Sequence, residues 1–304
     1  NECGGYESYW ALDSLPKLNY SSEALRSRIF SDKDSVVVAW LMNFKAVYGW
    51  RLDAASMIGK SKLADLNEYV LKGIFKSAKS TDKDVYVFGE QPFDPVANSG
   101  FDTMDGITNY AGFYTPLLYW LDDEVAFDEF DLKNALVEYN SLVGFQFSAS
   151  SINFIGNHDK RRMITLLDCD KRKYKTALAM LFTYVGVPAI YYGEEIALGS
   201  QPTANDSRIP MDWSGGDFEI LEYTKALISL RKRLEPLRLG GFRVLNSSEG
   251  IFSFERRYRK KLVVVILFNR SSLVEECTLS APVSIAAVCK KMQCIFGDVD
   301  SIKV

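Results

Sequence analysis

Paired cysteines are missing from this chain. Its five cysteines, Cys3, Cys169, Cys277, Cys289 and Cys294, are an odd number, and neither a second cysteine pair nor a nearby histidine completes a zinc-type set around Cys289 and Cys294. Free thiols in a reducing compartment fit this pattern, and a cytoplasmic location is expected. Histidine is scarcer still, with His158 alone. No apolar run reaches the length of a membrane-spanning helix, and no charged-then-apolar signal segment opens the chain, which starts at Asn1 rather than Met. An excess of positive charge is also absent. The net charge of −3 and pI near 5.5 argue against nucleic acid or an anionic membrane as the main partner. The basic stretches Lys171-Arg172-Lys173 and Arg256 to Lys261 are short and read as solvated faces. No internal repeat or low-complexity segment is present.

What remains, 304 residues with 47% hydrophobic and 25% charged side chains, supports a sizeable core and one large domain followed by a small one. Three segments stand out: Gly49-Trp50-Arg51-Leu52-Asp53, Phe88-Gly89-Glu90 and Phe154-Ile155-Gly156-Asn157-His158-Asp159. Each ends an apolar run with a carboxylate, and such runs read as buried strands. A carboxylate just past a strand end is where a parallel β/α barrel presents its reactive groups. Asp, Glu and Asp on one rim point to carboxylate-driven chemistry, of which cleavage of a sugar acetal is the commonest kind.

The pattern predicts loop over residues 1–20, then helices over 22–29 (capped by Ser21 or Ser22) and 36–44, a strand over 47–52 and an amphipathic helix from Leu63 to Phe75. Strands follow at 85–88, 102–107, 152–155 and 189–192, with helices at 114–121, 132–142, 173–185 and 218–234, the last closed by Pro236. Alternation of this kind makes a parallel sheet covered by helices. Five strands do not close a barrel that needs about eight, so the fold class is α/β: the last five strands of a (β/α)8 barrel over 1–238. Strands at 242–245, 251–257, 262–268 and 274–279, separated by turn residues such as Asn246-Ser247-Ser248, predict a small antiparallel β domain over 239–304.

Further segments narrow the match. Leu15-Pro16-Lys17-Leu18-Asn19 lies ahead of the first carboxylate strand, Asp170-Lys171-Arg172-Lys173 opens a late helix, and Pro188 to Glu195 is followed by Arg208-Ile209-Pro210-Met211-Asp212-Trp213. In this order, over nearly the whole chain, the set resembles the α-amylase family, glycoside hydrolase family 13, and within it the neopullulanase, cyclomaltodextrinase and maltogenic amylase branch. Taken singly, Arg51 and Asp53 read better as a structural ion pair, Glu90 as a surface carboxylate, and His158-Asp159 as a helix-capping turn. The ordered set reverses those odds.

The resemblance implies a retaining α-glucan hydrolase with Asp53 as nucleophile, Glu90 as general acid/base and Asp159 as the carboxylate that grips the sugar hydroxyls. It places Arg51, Asn157 and His158 at the substrate, and Trp10 and Tyr110 are candidates to stack on pyranose faces. Physical chemistry is consistent with these roles. Arg51 and Asp53 share a strand face because side chains alternate with period two, so the guanidinium should keep Asp53 ionised. Glu90 has no cation beside it in sequence and is flanked by Phe88 and Phe93, which favours a raised proton affinity.

The family's first motif is absent, and the resemblance places it upstream of Asn1 with three further barrel strands. Ser56-Met57 stand where the branch usually has Asn-Glu, which bears on hydrolysis against glycosyl transfer. The expected partner is an α-glucan oligosaccharide. No cofactor or metal ligand set is implied, although calcium sites vary in this family. Any homo-oligomer would form through regions outside this chain.

Overall fold

The computed structural model describes residues 2–3, 5–92, 94, 96, 100, 102–200, 206–248 and 250–269. Phe93, Cys277, Cys289, Cys294 and the strand expected at 274–279 lie outside the described residues.

The expected opening loop contains a small hairpin, β1 (Glu2–Cys3) against β2 (Tyr6–Glu7). Helix α1 (Glu23–Arg26) starts where Ser22 Oγ accepts from the Leu25 N–H at 3.3 Å, and it runs on into a π-helical turn, Ser27–Ser31. After α2 (Val36–Asn43), strand β3 (Gly49–Leu52) leads to the first rim loop. Helix α3 (Asn67–Thr81) buries Val70, Leu71, Ile74 and Ala78 along one stripe. It begins four residues later than the apolar spacing implies, and Leu63 is 94% exposed. The Asn67 side chain accounts for this boundary: it accepts from Gly59 N–H (3.0 Å) and donates to the Ala55 carbonyl (2.9 Å), fastening the helix start to the loop after β3.

Strand β4 (Tyr86–Gly89) pairs in parallel with β3, and β5 (Gly106–Ile107) pairs with β4. β5 is shorter than the expected 102–107 strand because Asp105 substitutes its side chain for part of the ladder, Oδ2 accepting from Val87 N–H at 2.8 Å. A π-helical turn, Tyr110–Tyr114, runs into α4 (Thr115–Leu121); α5 (Glu129–Val143), with a capping box between Asp128 and Asp131, and α6 (Phe145–Ser150) follow. β6 (Ile152–Asn153) joins β5 through a parallel bridge between Thr108 and Ile152. Helices α7 (Met163–Leu166) and α8 (Lys171–Thr183) lead to β7 (Val187–Pro188), parallel to β6. The strand expected at 189–192 is therefore this earlier one. Pairing ends when Ala189 N–H donates to the Asn153 carbonyl at 2.8 Å, and the chain then turns through Gly193 at φ 85.

Helix α9 (Phe218–Arg233) is capped by Asp217. Pro236 does not close it but opens α10 (Glu235–Leu239), where the missing N–H of a first-turn proline costs nothing. Strands β8 (Gly241–Ser248), β9 (Ile251–Tyr258) and β10 (Lys261–Phe268) form an antiparallel sheet, and Asn246 to Ser248, expected as a turn, belong to β8 after a bulge beyond Val244.

The described residues thus hold five parallel barrel strands in chain order, β3 to β7, plus the antiparallel sheet. One apolar cluster packs α3 against β3 and β4 through Leu71, Ile74 and Val87. A second joins Trp120, Leu178 and Leu181 to Phe252, Phe254 and Leu267, so the antiparallel sheet and the late helices share one core. Each fully buried aromatic there stabilises by ~2–3 kcal/mol. Arg256, 2% exposed, ties the two parts by donating to the carbonyls of Thr183 (2.6 Å), Gly240 (2.9 Å) and Gly241 (3.1 Å).

Candidate active site

The first two rim carboxylates are neighbours because the β3–β4 ladder continues beyond both strands. Glu90 N–H donates to the Leu52 carbonyl (2.8 Å), and Ala55 N–H donates to the Glu90 carbonyl (3.1 Å). Gly89 is required at the end of β4, since a Cβ there would lie 2.7 Å from Ala55 Cβ and 3.0 Å from Met104 Sδ. Ala54, in the left-handed region at φ 46, turns its N–H onto Glu90 Oε2 at 3.0 Å. Such a backbone conformation in a non-glycine residue marks a site whose surroundings overdetermine it.

Arg51 spans the pair. Its Nη1 is 2.6 Å from Asp53 Oδ1 and its Nη2 is 3.5 Å from Glu90 Oε2. Sequence neighbours give Glu90 no cation; the parallel register supplies this one from the next strand. The side chains differ sharply in exposure, 77% for Asp53 and 14% for Glu90. Burial pushes the Glu90 carboxyl above the usual range. The Ala54 N–H and Arg51 oppose that, while a hydrogen bond with Asp53 and its charge reinforce it, and the net direction is upward. For Asp53, partial burial also raises proton affinity, but the Arg51 and Glu90 hydrogen bonds and the charges of Arg51 and His158 outweigh it, and its carboxyl falls below the usual range. The two groups are thus pushed apart, one toward acid and one toward carboxylate.

The third segment is a loop rather than a strand end in ladder contact. Asn157 Oδ1 accepts from Asp159 N–H (2.9 Å), and Asn157 Nδ2 donates to the Tyr110 hydroxyl (2.7 Å). Both ends of that amide therefore brace the loop. His158 Nε2 lies 3.1 Å from Asp159 Oδ2, and Arg208 Nη2 lies 2.8 Å from Asp159 Oδ1. Arg208 also donates from Nε to the His158 carbonyl (2.9 Å). Arg208 belongs to the Arg208–Trp213 loop motif, and nothing else in the sequence marks it as a site residue.

Tyr110 is 6% exposed, its ring packed edge-on to Phe154 and Tyr114. Its contribution to the site is a hydroxyl, not an open face for sugar stacking. Burial pushes that hydroxyl up to about 12, the Asn157 bond opposes this, and the charges of both Glu90 and Asp159 add to it, so Tyr110 lies within electrostatic reach of the two rim halves. Trp10, 59% exposed, sits on the turn Tyr9–Ala11 with its ring edge-on to Tyr9. The structure thus brings together Arg51, Asp53 and Glu90 on one side and Asn157, His158, Asp159 and Tyr110 on the other, joined by charge.

Among the described residues, no three His, Cys, Asp or Glu side chains gather as a metal site. A cleft of about 860 Å³ between the Ser27–Ser31 turn, α2 and α3 is lined by Phe30, Met42 and Tyr69 and includes none of the rim carboxylates. Cavity size does not mark the chemistry here.

Parallel β/α units that deliver an Asp–Glu pair and a third Asp past their strand ends define a barrel rim with a carboxylate centre. The profile of the alpha-amylase catalytic domain matches residues 2–217, and the chain belongs to that family. Among its curated relatives, a cyclomaltodextrinase of Geobacillus thermopakistaniensis is 27% identical over 278 residues, covering 89% of this chain and 44% of the relative. Neopullulanase 2 of Thermoactinomyces vulgaris is 27% identical over 270 residues, covering 87% of this chain and 43% of the relative. The chain therefore spans less than half the length of these relatives. Among solved structures, the ligand-free cyclic alpha-maltosyl-(1→6)-maltose hydrolase of Arthrobacter globiformis superposes with a TM-score of 0.76 at 22% identity, covering 87% of this chain and 57% of that one. That likeness concerns the fold.

Proposed function

We propose that this chain carries the catalytic centre of a retaining α-glucan hydrolase acting on maltooligosaccharides, cyclodextrins or pullulan. Asp53 attacks the anomeric carbon while the glycosidic C–O bond breaks and Glu90 passes its proton to the departing oxygen. Water then attacks the glycosyl–Asp53 ester, giving its proton to Glu90 and releasing the Asp53 carboxylate, so one water is consumed and both groups return to their starting states. Asp159 and His158 hold sugar hydroxyls and tighten as positive charge grows on the ring. Arg208 and Asn157 set the angle of Asp159.

The observation that carries this reading is a pair of carboxyls spanned by one guanidinium, Arg51 Nη1 2.6 Å from Asp53 Oδ1 and Nη2 3.5 Å from Glu90 Oε2, with their proton affinities pushed in opposite directions. Inversion needs a water between carboxyls about 6.5–9.5 Å apart, whereas retention needs them about 5–5.5 Å apart, and a single guanidinium reaching both carboxyls supports the closer arrangement. These steps need no cofactor. The exposed free thiol of Cys169 supports a reducing, cytoplasmic setting. No helix among the described residues is long and apolar enough to cross a membrane. An α-glucan partner is proposed, with neither nucleic acid nor membrane. The test is Asp53→Asn in a version of the chain extended to its relatives' length: turnover of a nitrophenyl maltoside should fall by ~10⁴-fold or more, and persistent cleavage overturns the assignment.

A second reading rests on the sheet edges. Among the described residues β3 and β7 each pair on one side only, and open edges of a parallel sheet are a liability. In that reading the 304-residue chain by itself is a silent scaffold. Robust activity of this chain without extension would refute it. Ser56-Met57 bear on a third outcome, glycosyl transfer, which the products of a maltotriose digest would reveal.

A further inference from the structure

Glu194 takes no part in the mechanism above, yet it is 2% exposed and opens the short helical turn Glu194–Ile196 after β7. Its Oε2 accepts from Tyr191 N–H at 3.0 Å. Its Oε1 is buried without any hydrogen-bond partner. That oxygen is aimed at Gly156, where a Cβ would lie only 2.4 Å from it. Gly156 joins the buried Phe154-Ile155 pair to Asn157-His158-Asp159, so the carboxyl fills the space of a side chain at the root of the Asp159 loop.

We propose that Glu194 is a positioning residue for the rim: its carboxyl stands in for the side chain that Gly156 lacks and sets the Asn157–Asp159 loop against Asp53 and Glu90. The proposal rests on that rim being the catalytic centre, and it adds a support that no rim residue supplies. A buried carboxyl with one hydrogen bond is tolerated when uncharged and disfavoured when ionised. The groups around it pull in both directions. Arg162 directs its guanidinium to the carbonyls of Tyr192 (2.6 Å) and Ser207 (3.1 Å) and lies over the rings of Tyr191 and Tyr192. From α8, the Tyr174 hydroxyl donates to the Glu194 main-chain carbonyl at 2.7 Å, and Tyr114 and Glu195 face the group within charge reach. Burial pushes the Glu194 carboxyl up to about 8; the Tyr191 N–H and Arg162 oppose this and Glu195 adds to it. At neutral pH the acid is uncharged, and on the alkaline side a negative charge develops against the loop's backbone.

The single histidine of the chain makes this testable without turnover, because His158 supplies the only imidazole C–H signals in a proton NMR spectrum. In the purified chain those signals should shift with a midpoint near pH 8, as Glu194 ionises, and Glu194→Gln should abolish that shift while leaving the neutral-pH signal in place. Gly156→Ala should displace the His158 signal at every pH, and Gly156→Ala with Glu194→Ala should return it toward the parent position, since the space is then free. A parent pH series without the shift near pH 8, its survival in Glu194→Gln, or a double variant no closer to the parent than Gly156→Ala overturns the proposal. Should Gly156→Ala fail to fold, Glu194→Asp serves instead: the shorter acid withdraws from Gly156, and an unmoved His158 signal then defeats the idea. Loss of the catalytic reading through Asp53→Asn leaves these NMR outcomes intact, so the two failures are distinguishable.

Discussion

Asp53 and Glu90 stand side by side because β3 and β4 are adjacent parallel strands whose main-chain bonds run past both strand ends, whereas Asp159 is oriented by Arg208, 49 residues further along the chain. The first half of the rim is placed by ladder register, which a one-residue slip would destroy entirely. The second half is placed by side chains: Asn157 on Tyr110, Arg208 on Asp159, and the Glu194 carboxyl under Gly156. Register fixes positions firmly but tunes charge only through neighbours such as Arg51. Side-chain bracing is adjustable and more easily lost.

The largest effect on the strand-placed half is expected of Glu90→Gln. It should lower kcat by ~10³-fold, within the range for removing a general acid/base, and flatten the alkaline side of the pH–rate profile. It should also change stability in a defined direction. A carboxyl whose folded pKa lies above its unfolded value favours folding fully below the unfolded pKa, and that contribution is lost as pH rises through the folded one. The unfolding midpoint of Glu90→Gln should therefore gain on the parent as pH rises above the usual glutamate range. Asp53 has the opposite sign: its lowered folded pKa favours folding above the usual aspartate range, and this is lost as pH falls through the lowered value. An unfolding series in which Glu90→Gln and the parent keep a constant offset would contradict the upward shift of Glu90.

Arg208→Gln probes the other half. Freeing one oxygen of Asp159 should cost about tenfold in kcat/KM, roughly the 1–2 kcal/mol of a charge-assisted hydrogen bond, with the pH profile unmoved because Arg208 does not touch the Asp–Glu pair. A shift of the profile instead would mean that the two halves titrate together. A smaller effect is expected of Arg51→Lys. Its compact ammonium cannot span both carboxyls as the fork does, so the acidic side of the rate profile should move upward while the alkaline side stays near its place. Least of all, adding a chelator should leave turnover unchanged, since the proposed steps use only side chains and water; a rate restored by calcium after chelation would add a metal to the centre.

Most of the elements were legible because their cause is local. Ser22, Asp170 and Asp217 cap helices by accepting from main-chain N–H groups two or three residues on, and the apolar stripe of α3 needs no distant partner to be seen. The misjudged boundaries have a common origin in long-range bonds. Asn67 delays α3 by reaching back to Gly59 and Ala55, Asp105 shortens β5 by bonding Val87, and β7 lies at Val187–Pro188 because its partner β6 stops at Asn153.

For the site, strand-end position made the carboxylates Asp53, Glu90 and Asp159 legible in the residues, while the places of Arg51, Asn157 and His158 at the substrate came from the resemblance to the α-amylase family. Proton affinities, the cation at Glu90, the Arg208 clasp and the buried acid beneath Gly156 were decided by folding. Each depends on distances between groups far apart in the chain, and electrostatic and desolvation energies change steeply over those few ångströms, which no linear spacing of residues encodes.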